Sequence, residues 1–272
     1  YMNAGALKTL DDRQFFSGFA EIMKHGLIKD AAFYEWLLEH MYEICDRDTD
    51  TLLEMVGQSC KIKKAVVEKD PMEKGERALL NFGHTIGHAI EKAMNFSLTH
   101  GECVALGAVA AAFISWKREL LSKDEYYEIR DMFVPFNLPI SIEGIDPQEI
   151  LRLTKSDKKA EGDCIKFILL KKVGKALIDR TVTDEDILNA IANHTTGRPA
   201  MSQLEKIIYI ADYIEPGRKQ APGLPEVRRE AFEDLDLALL HILKDTMRYL
   251  QDTNAPFDPV TKSTYDYYAA GR

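Results

Sequence analysis

A run of fourteen residues without a charge, CVALGAVAAAFISW from Cys103 to Trp116, most limits what this chain can fold into. Spanning a bilayer as a helix takes about 20 apolar residues, so the run is too short for a membrane and reads as a helix buried in a core. The surroundings agree. Hydrophobic residues make up 46% of the sequence and charged residues 29%, the balance of a globular protein rather than a disordered one. The 272 residues suffice for one large domain or two ordinary ones. The net charge of −9 argues against a nucleic-acid partner, and no membrane partner is expected. No signal peptide is visible, and the 4 cysteines lie far apart without a C-x-x-C motif. Reduced thiols and a cytoplasmic location are therefore expected.

The pattern along the chain is mainly α. Helical spacing is read over Phe16 to Ile28, Ala31 to Cys45, Asp50 to Asp70, Arg77 to Met94, His100 to Leu121 and Lys123 to Phe133. A short helix follows from Asp146, with Pro147 in its first turn. Two short apolar runs, Lys166 to Leu170 and Lys175 to Asp179, flank Lys172-Val173-Gly174 and read as one small β-hairpin. Thr183 with Asp186, and Ser202 with Glu205, form capping-box patterns that open two helices of the tail. The stripe Leu204, Ile207, Ile208, Ala211 and Ile214 marks the apolar face of the second. Phe232 to Leu250 is a long amphipathic helix. The domain boundary is expected between residues 182 and 183.

The densest chemistry lies in RALLNFGHTIGH, residues 77 to 88. On one continuous helix Asn81, His84 and His88 share a face. Gly83 and Gly87 each cost about 1 kcal/mol of helix propensity relative to Ala, which implies a close approach to the backbone. The spacing of the two histidines matches H-E-x-x-H, but Thr85 stands where the metalloprotease base belongs, so that chemistry is set aside. GFAEIMKHG offers Glu21 and Lys24 one helical turn apart, and His100 precedes the apolar run. Two histidines and a carboxylate with an open position form a common catalytic zinc set. Glu21, His84 and His100 could supply it, and spacing alone leaves open whether they meet. Cys103 reads as a small buried hydrophobe, and His25, His40 and His241 as surface or packing residues.

SGFAEIMKHGLI, RALLNFGHTIGHAIE, THGECVALG and DKKAEGDCIKFILLKKVGKA, in that order, resemble 3-dehydroquinate synthase. The resemblance covers residues 1 to 182 and implies the helical C-terminal domain of that family. It implies Glu21, His84 and His100 as ligands of zinc or cobalt. It implies Lys24, His88 and Asn81 as catalytic groups, and Lys63, Arg77, Asn81, His88 and Lys158 (or Lys159) as contacts to substrate. Read without it, Lys63 and Lys158 are a solvated charged face. The implied activity is that of a carbon–oxygen lyase acting on phosphates. A phosphorylated seven-carbon keto sugar acid becomes 3-dehydroquinate and phosphate in the shikimate pathway to aromatic amino acids. The family also implies NAD, but no segment here resembles its NAD-binding domain, and the 16 glycines never form G-x-G-x-x-G. The expectation is metal binding without turnover by this chain alone.

The tail resembles a different family. HTTGRP, SQLEKIIYIADYIEP and GLPEVRREAFEDLD are similar to the C-terminal half of an HD-domain hydrolase that cleaves diadenosine tetraphosphate. That resemblance covers residues 183 to 272. It implies His194 and Asp212 at a metal site, with Arg198 and Arg218 contacting phosphate. The sequence has no His-Asp dipeptide, so this alternative function lacks its defining motif. A partial HD-domain helical module, catalytically silent and prone to homodimer formation through its apolar stripe, is expected. A folded but non-catalytic chain is the remaining alternative.

Overall fold

The apolar run lies inside a helix, His100–Lys117, and Gly101 together with every residue from Cys103 to Ser115 is buried. The structure, a computed structural model, describes residues 3–73, 75–142, 145–156, 165–195, 201, 203–214, 223–252 and 259–270. It divides into two compact units, residues 1–194 and 195–272.

The first unit is built around the buried helix. In chain order its helices are α1 (Asp12–Lys29), α2 (Ala31–Glu39), α3 (Met41–Cys45), α4 (Thr49–Lys69), α5 (His84–Ala93), α6 (His100–Lys117), α7 (Lys123–Asp131), α8 (Pro147–Ser156) and α9 (Asp184–Thr195). Strands β1 (Phe167–Lys172) and β2 (Lys175–Asp179) form the expected antiparallel hairpin, with Ile168 opposite Ile178. Helices α1, α5 and α7 and strand β1 all pack on α6. Side-chain caps fix the starts. Asp11 accepts from the Gln14 N–H, and Thr99 with Glu102 forms a full capping box at α6.

The expected single helix from Arg77 to Met94 is not continuous. Glu76–Asn81 is a 3₁₀ turn, and α5 begins only at His84. Gly83 separates them in a left-handed conformation with φ +79°, where L side chains are strained. Asn81 therefore lies off the helix that carries His84 and His88. Both glycines of the motif do meet backbone. A Cβ on Gly83 would lie 2.7 Å from Val104 O, and one on Gly87 2.6 Å from Cys103 O. These close contacts let α5 lie against α6 at backbone distance.

The division falls at 194/195, at the far end of the stretch from about 179 to 195 in which the sequence places the boundary, and beyond a split at 182/183. Helix α9 belongs to the first unit because Ile187, Ala190 and Ile191 join its core. The Arg118 guanidinium strengthens that attachment, donating to Asp179, to the Thr181 hydroxyl and carbonyl, and to Asp186. The Thr183–Asp186 capping box forms as expected, and that of Ser202 lies outside the described residues.

The second unit consists of α10 (Gln203–Tyr213), α11 (Leu224–Glu233), α12 (Leu235–Asp252) and α13 (Pro259–Ala270). Helices α11 and α13 are absent from the sequence reading. Pro225 and Pro259 each sit in a first turn, where proline is tolerated. The apolar face of α10 is rotated from the expected stripe. Ile210 and Tyr213 are buried against Val227, Leu239 and Leu243, while Ile207 and Ala211 are exposed and Ile214 is half-buried. The side chains of Leu204 and Ile208 lie outside the described residues.

Candidate metal centre

Three helices converge at one point. Glu21 comes from the middle of α1, His84 and His88 from the first two turns of α5, and His100 from the start of α6. Glu21 Oε1 lies 3.3 Å from His84 Nε2 and 3.5 Å from His100 Nε2. The ring centroids of His84 lie 5.2 Å from those of His88 and 5.3 Å from those of His100. One nitrogen from each of His84, His88 and His100 fits within a mutual distance of 4.8 Å.

The hydrogen bonds say what this cluster can hold. His84 Nδ1 lies 3.1 Å from the Phe82 carbonyl, which can only accept, so the proton of a neutral ring sits on Nδ1. Nε2 then presents a lone pair. It faces Glu21 Oε1, a buried carboxylate oxygen with no hydrogen-bond partner of normal geometry among the described residues. Two acceptors face each other with no proton between them, an arrangement that a cation completes. The donor set of one carboxylate and imidazole nitrogens suits zinc or cobalt.

The other oxygen, Glu21 Oε2, accepts from Lys24 Nζ at 2.7 Å. Lys24 is 4% exposed. Burial pushes its ammonium below the usual lysine range, and Glu21 offsets part of that. Burial pushes the Glu21 carboxyl upward, but the hydrogen bond and charge of Lys24 pull it down, and the group lies below the usual carboxylate range.

The remaining candidates divide. Lys63 is exposed on α4, and its charge reaches Lys24 and His25. Arg77 and Asn81 lie on the 3₁₀ turn, and both face Glu73. Asn81 Nδ2 donates to Glu73 Oε1 at 3.0 Å, and Arg77 Nε is 3.9 Å from Glu73 Oε2. Lys158, Lys159, Arg198 and Arg218 lie outside the described residues. His194 is on α9 and Asp212 on α10, and their side chains lie outside the described residues.

Sequence reasoning missed Glu73, Glu91 and the Ser59 partner of His25. Glu73 holds Arg77 and Asn81, and its only signal was a carboxylate four residues before Arg77. Glu91 Oε2 lies 3.8 Å from His100 Nδ1 and is one helical turn beyond His88. His25, read as a surface or packing residue, is buried, with Nδ1 2.8 Å from Ser59 Oγ. His241 also has a partner, the buried Glu230, at 2.7 Å.

His25 gives the site a pH signature. Burial, helped by the charge of Lys24, lowers its imidazole to about 4. Between pH 6.5 and 4 the unfolded chain binds a proton at this position that the folded chain refuses, so stability falls as pH falls. The loss is of order 3 kcal/mol and is complete once pH drops through the folded value. In urea unfolding, His25→Gln should lose less stability between pH 7 and 4.5 than the parent. Identical losses would contradict this.

A helical domain with a dense ligand cluster, the one found among the described residues, that has the donor set of a divalent-metal site is what fold and geometry define. Residues 18–160 match the family described as 3-dehydroquinate synthase C-terminal, and the chain belongs to that family. A 3-dehydroquinate synthase of Acetivibrio thermocellus is 40% identical over 191 residues, covering 70% of this chain and 53% of that protein. One from Nitrosospira multiformis is 39% identical over 181 residues, covering 66% and 50%. The chain thus spans about half the length of the curated relatives it matches. Among solved structures, the 2-epi-5-epi-valiolone synthase of Streptomyces hygroscopicus with NAD⁺ and Zn²⁺ bound superimposes with a TM-score of 0.66 at 25% identity, covering 70% of this chain and 54% of that one. A 2-deoxy-scyllo-inosose synthase complexed with carbaglucose-6-phosphate, NAD⁺ and Co²⁺ gives 0.61 at 25% identity, covering 69% and 54%. Among the described residues no helix is long and apolar enough to cross a membrane.

Proposed function

We propose that the first unit is the metal- and substrate-binding half of a 3-dehydroquinate synthase, a carbon–oxygen lyase that releases phosphate from a seven-carbon keto sugar acid phosphate. The observation that carries this is the buried Glu21 oxygen set against His84 and His100. Glu21, His84 and His100 hold zinc or cobalt, which supplies a Lewis acid for the hydroxyl to be oxidised. NAD⁺ is bound in both solved neighbours and would supply the hydride acceptor for that oxidation. Lys24 fixes the Glu21 carboxylate and faces the substrate from a dry position. Lys63, Arg77, Asn81 and Lys158 counter the phosphate and carboxylate charges. Arg77 and Asn81 exchange the Glu73 carboxylate for the anion of the substrate. His88 stays off the ion and handles a substrate proton. The cytosol is the proposed location, where the described cysteines, all free, stay reduced.

Phosphate release tests this reading. The chain is assayed alone, then with a separately purified NAD-binding half of a related synthase and NAD⁺. Release only in the mixture, abolished by Lys24→Ala, is the expected result. Rates typical of an intact synthase from the chain alone would refute the division of labour.

For the second unit we propose a partial HD-domain module without turnover. The motifs HTTGRP and ADYIEP support it, and His194, Asp212, Arg198 and Arg218 are its metal and phosphate candidates. Exposed Ile207 and Phe232, the latter 88% exposed, are the proposed contacts of a homodimer. Diadenosine tetraphosphate hydrolysis with added iron or manganese should be undetectable. Activity that Asp212→Ala abolishes would instead establish the hydrolase reading.

A further inference from the structure

His100 is the least enclosed member of the metal cluster, with its side chain 45% exposed. Its ring is bounded on one side by those of His84 and His88 and is otherwise open, so its position depends on where the first turn of α6 is held. That turn is gripped by α1 at two points. Arg13 Nε donates to Glu102 Oε1 at 2.8 Å, and Arg13 Nη2 donates to Glu102 Oε2 at 2.7 Å. The same Nη2 donates to Ser97 O at 2.9 Å, just before α6. One turn further along α1, the Ser17 hydroxyl accepts from the Gly101 N–H at 3.0 Å. The two backbones touch there, since a Cβ on Gly101 would lie 2.0 Å from Ser17 O.

Arg13, Ser17 and Glu21 stand at i, i+4 and i+8 on α1 and so share one face. The first two hold Glu102 and Gly101, and the third meets His100. The grip and the ligand pair therefore sit on the same two helices, one turn apart. A bidentate guanidinium–carboxylate pair fixes direction as well as distance. Glu102 is committed twice, because Oε2 also accepts from the Thr99 N–H at 2.6 Å in the capping box.

We propose that Arg13, acting through Glu102 and with Ser17 beside it, is a positioning residue that sets the distance between His100 and Glu21 and so tunes metal binding. The inference rests on reading Glu21, His84 and His100 as a metal site. It requires no contact between Arg13 and the ion or the substrate. The guanidinium is half-exposed, so its removal leaves the core intact.

Titration of the full chain with Co²⁺ alone, followed by visible absorption, tests it. Arg13→Ala should bind Co²⁺ about tenfold more weakly than the parent and show a shifted band, as loss of a supporting contact around metal ligands does. Arg13→Lys, which keeps the charge without the fork, should recover part of the loss. Arg47→Ala provides the comparison, because Arg47 also braces the start of α1, through Leu10 O and Asp12, but among the described residues donates to none of α6. It should lower the urea midpoint and leave Co²⁺ affinity and band unchanged. Unchanged affinity and band in Arg13→Ala would overturn the proposal while leaving the metal site standing. Equal weakening in Arg47→Ala would overturn it too, by reducing the grip to general stability. A parent chain that binds no Co²⁺ would overturn both readings together.

Discussion

Gly107→Ala should destabilise the first unit by about 3 kcal/mol, the upper end of what overpacking a core costs. A Cβ at that position would lie 1.8 Å from Gly83 O and 2.8 Å from Gly87 N. Both are backbone atoms of the segment that opens α5, so no side chain can rotate away. Gly83 itself lies against α6, since a Cβ built on it would sit 2.7 Å from Val104 O and 2.9 Å from Ala108 N. Helix α5 would have to leave α6, and it carries His84 and His88 with it. Urea unfolding reads the cost. Gly57→Ala is the control. Nothing lies within 4 Å of its Cβ on α4, and it should gain up to about 1 kcal/mol from helix propensity. A Gly107→Ala chain as stable as the parent would contradict the backbone contact between α5 and α6.

His84→Ala should lose most divalent-metal affinity, and His88→Ala should retain it. His84 Nε2 faces the partnerless Glu21 oxygen, so its removal takes away a ligand and leaves a buried carboxylate oxygen facing a void. His88 belongs to the same three-imidazole group, which makes this a real choice. Affinity for Zn²⁺ by competition with a chelator separates them. Loss of about 100-fold or more is expected for His84→Ala, and within about tenfold of the parent for His88→Ala. Equal losses would place all three imidazoles on the ion.

Patterns confined to one element were legible in the sequence. The apolar run forecast α6, turn residues forecast the hairpin, and Thr183 with Asp186 forecast the start of α9. Convergence of elements was not. Spacing alone could not bring Glu21, His84 and His100 together, because their distances depend on how α1, α5 and α6 cross. The resemblance supplied those assignments. Gly83 was read as a cost within a helix, whereas its left-handed backbone ends one segment and begins another. That single angle takes Asn81 off the face of His84. Glu73, Glu91 and Ser59 escaped for the reason that hid the site. Each is an ordinary polar residue until tertiary packing gives it Arg77, His100 or His25 as a partner. In the tail, helix α10 was legible but its buried face was not: Ile210 is buried and Ile207 exposed although both are equally apolar, and only the neighbouring helices choose between them.

The most direct test of the central claim is Co²⁺ titration of the metal-stripped full chain, with absorbance read between the visible bands of low-coordinate and six-coordinate cobalt. One tight equivalent per chain is predicted, with the intense band of a four- or five-coordinate ion that His84→Ala abolishes. Binding no tighter than that of a surface carboxylate, or a weak six-coordinate spectrum unchanged in His84→Ala, would contradict the claim that Glu21, His84 and His100 form a metal site.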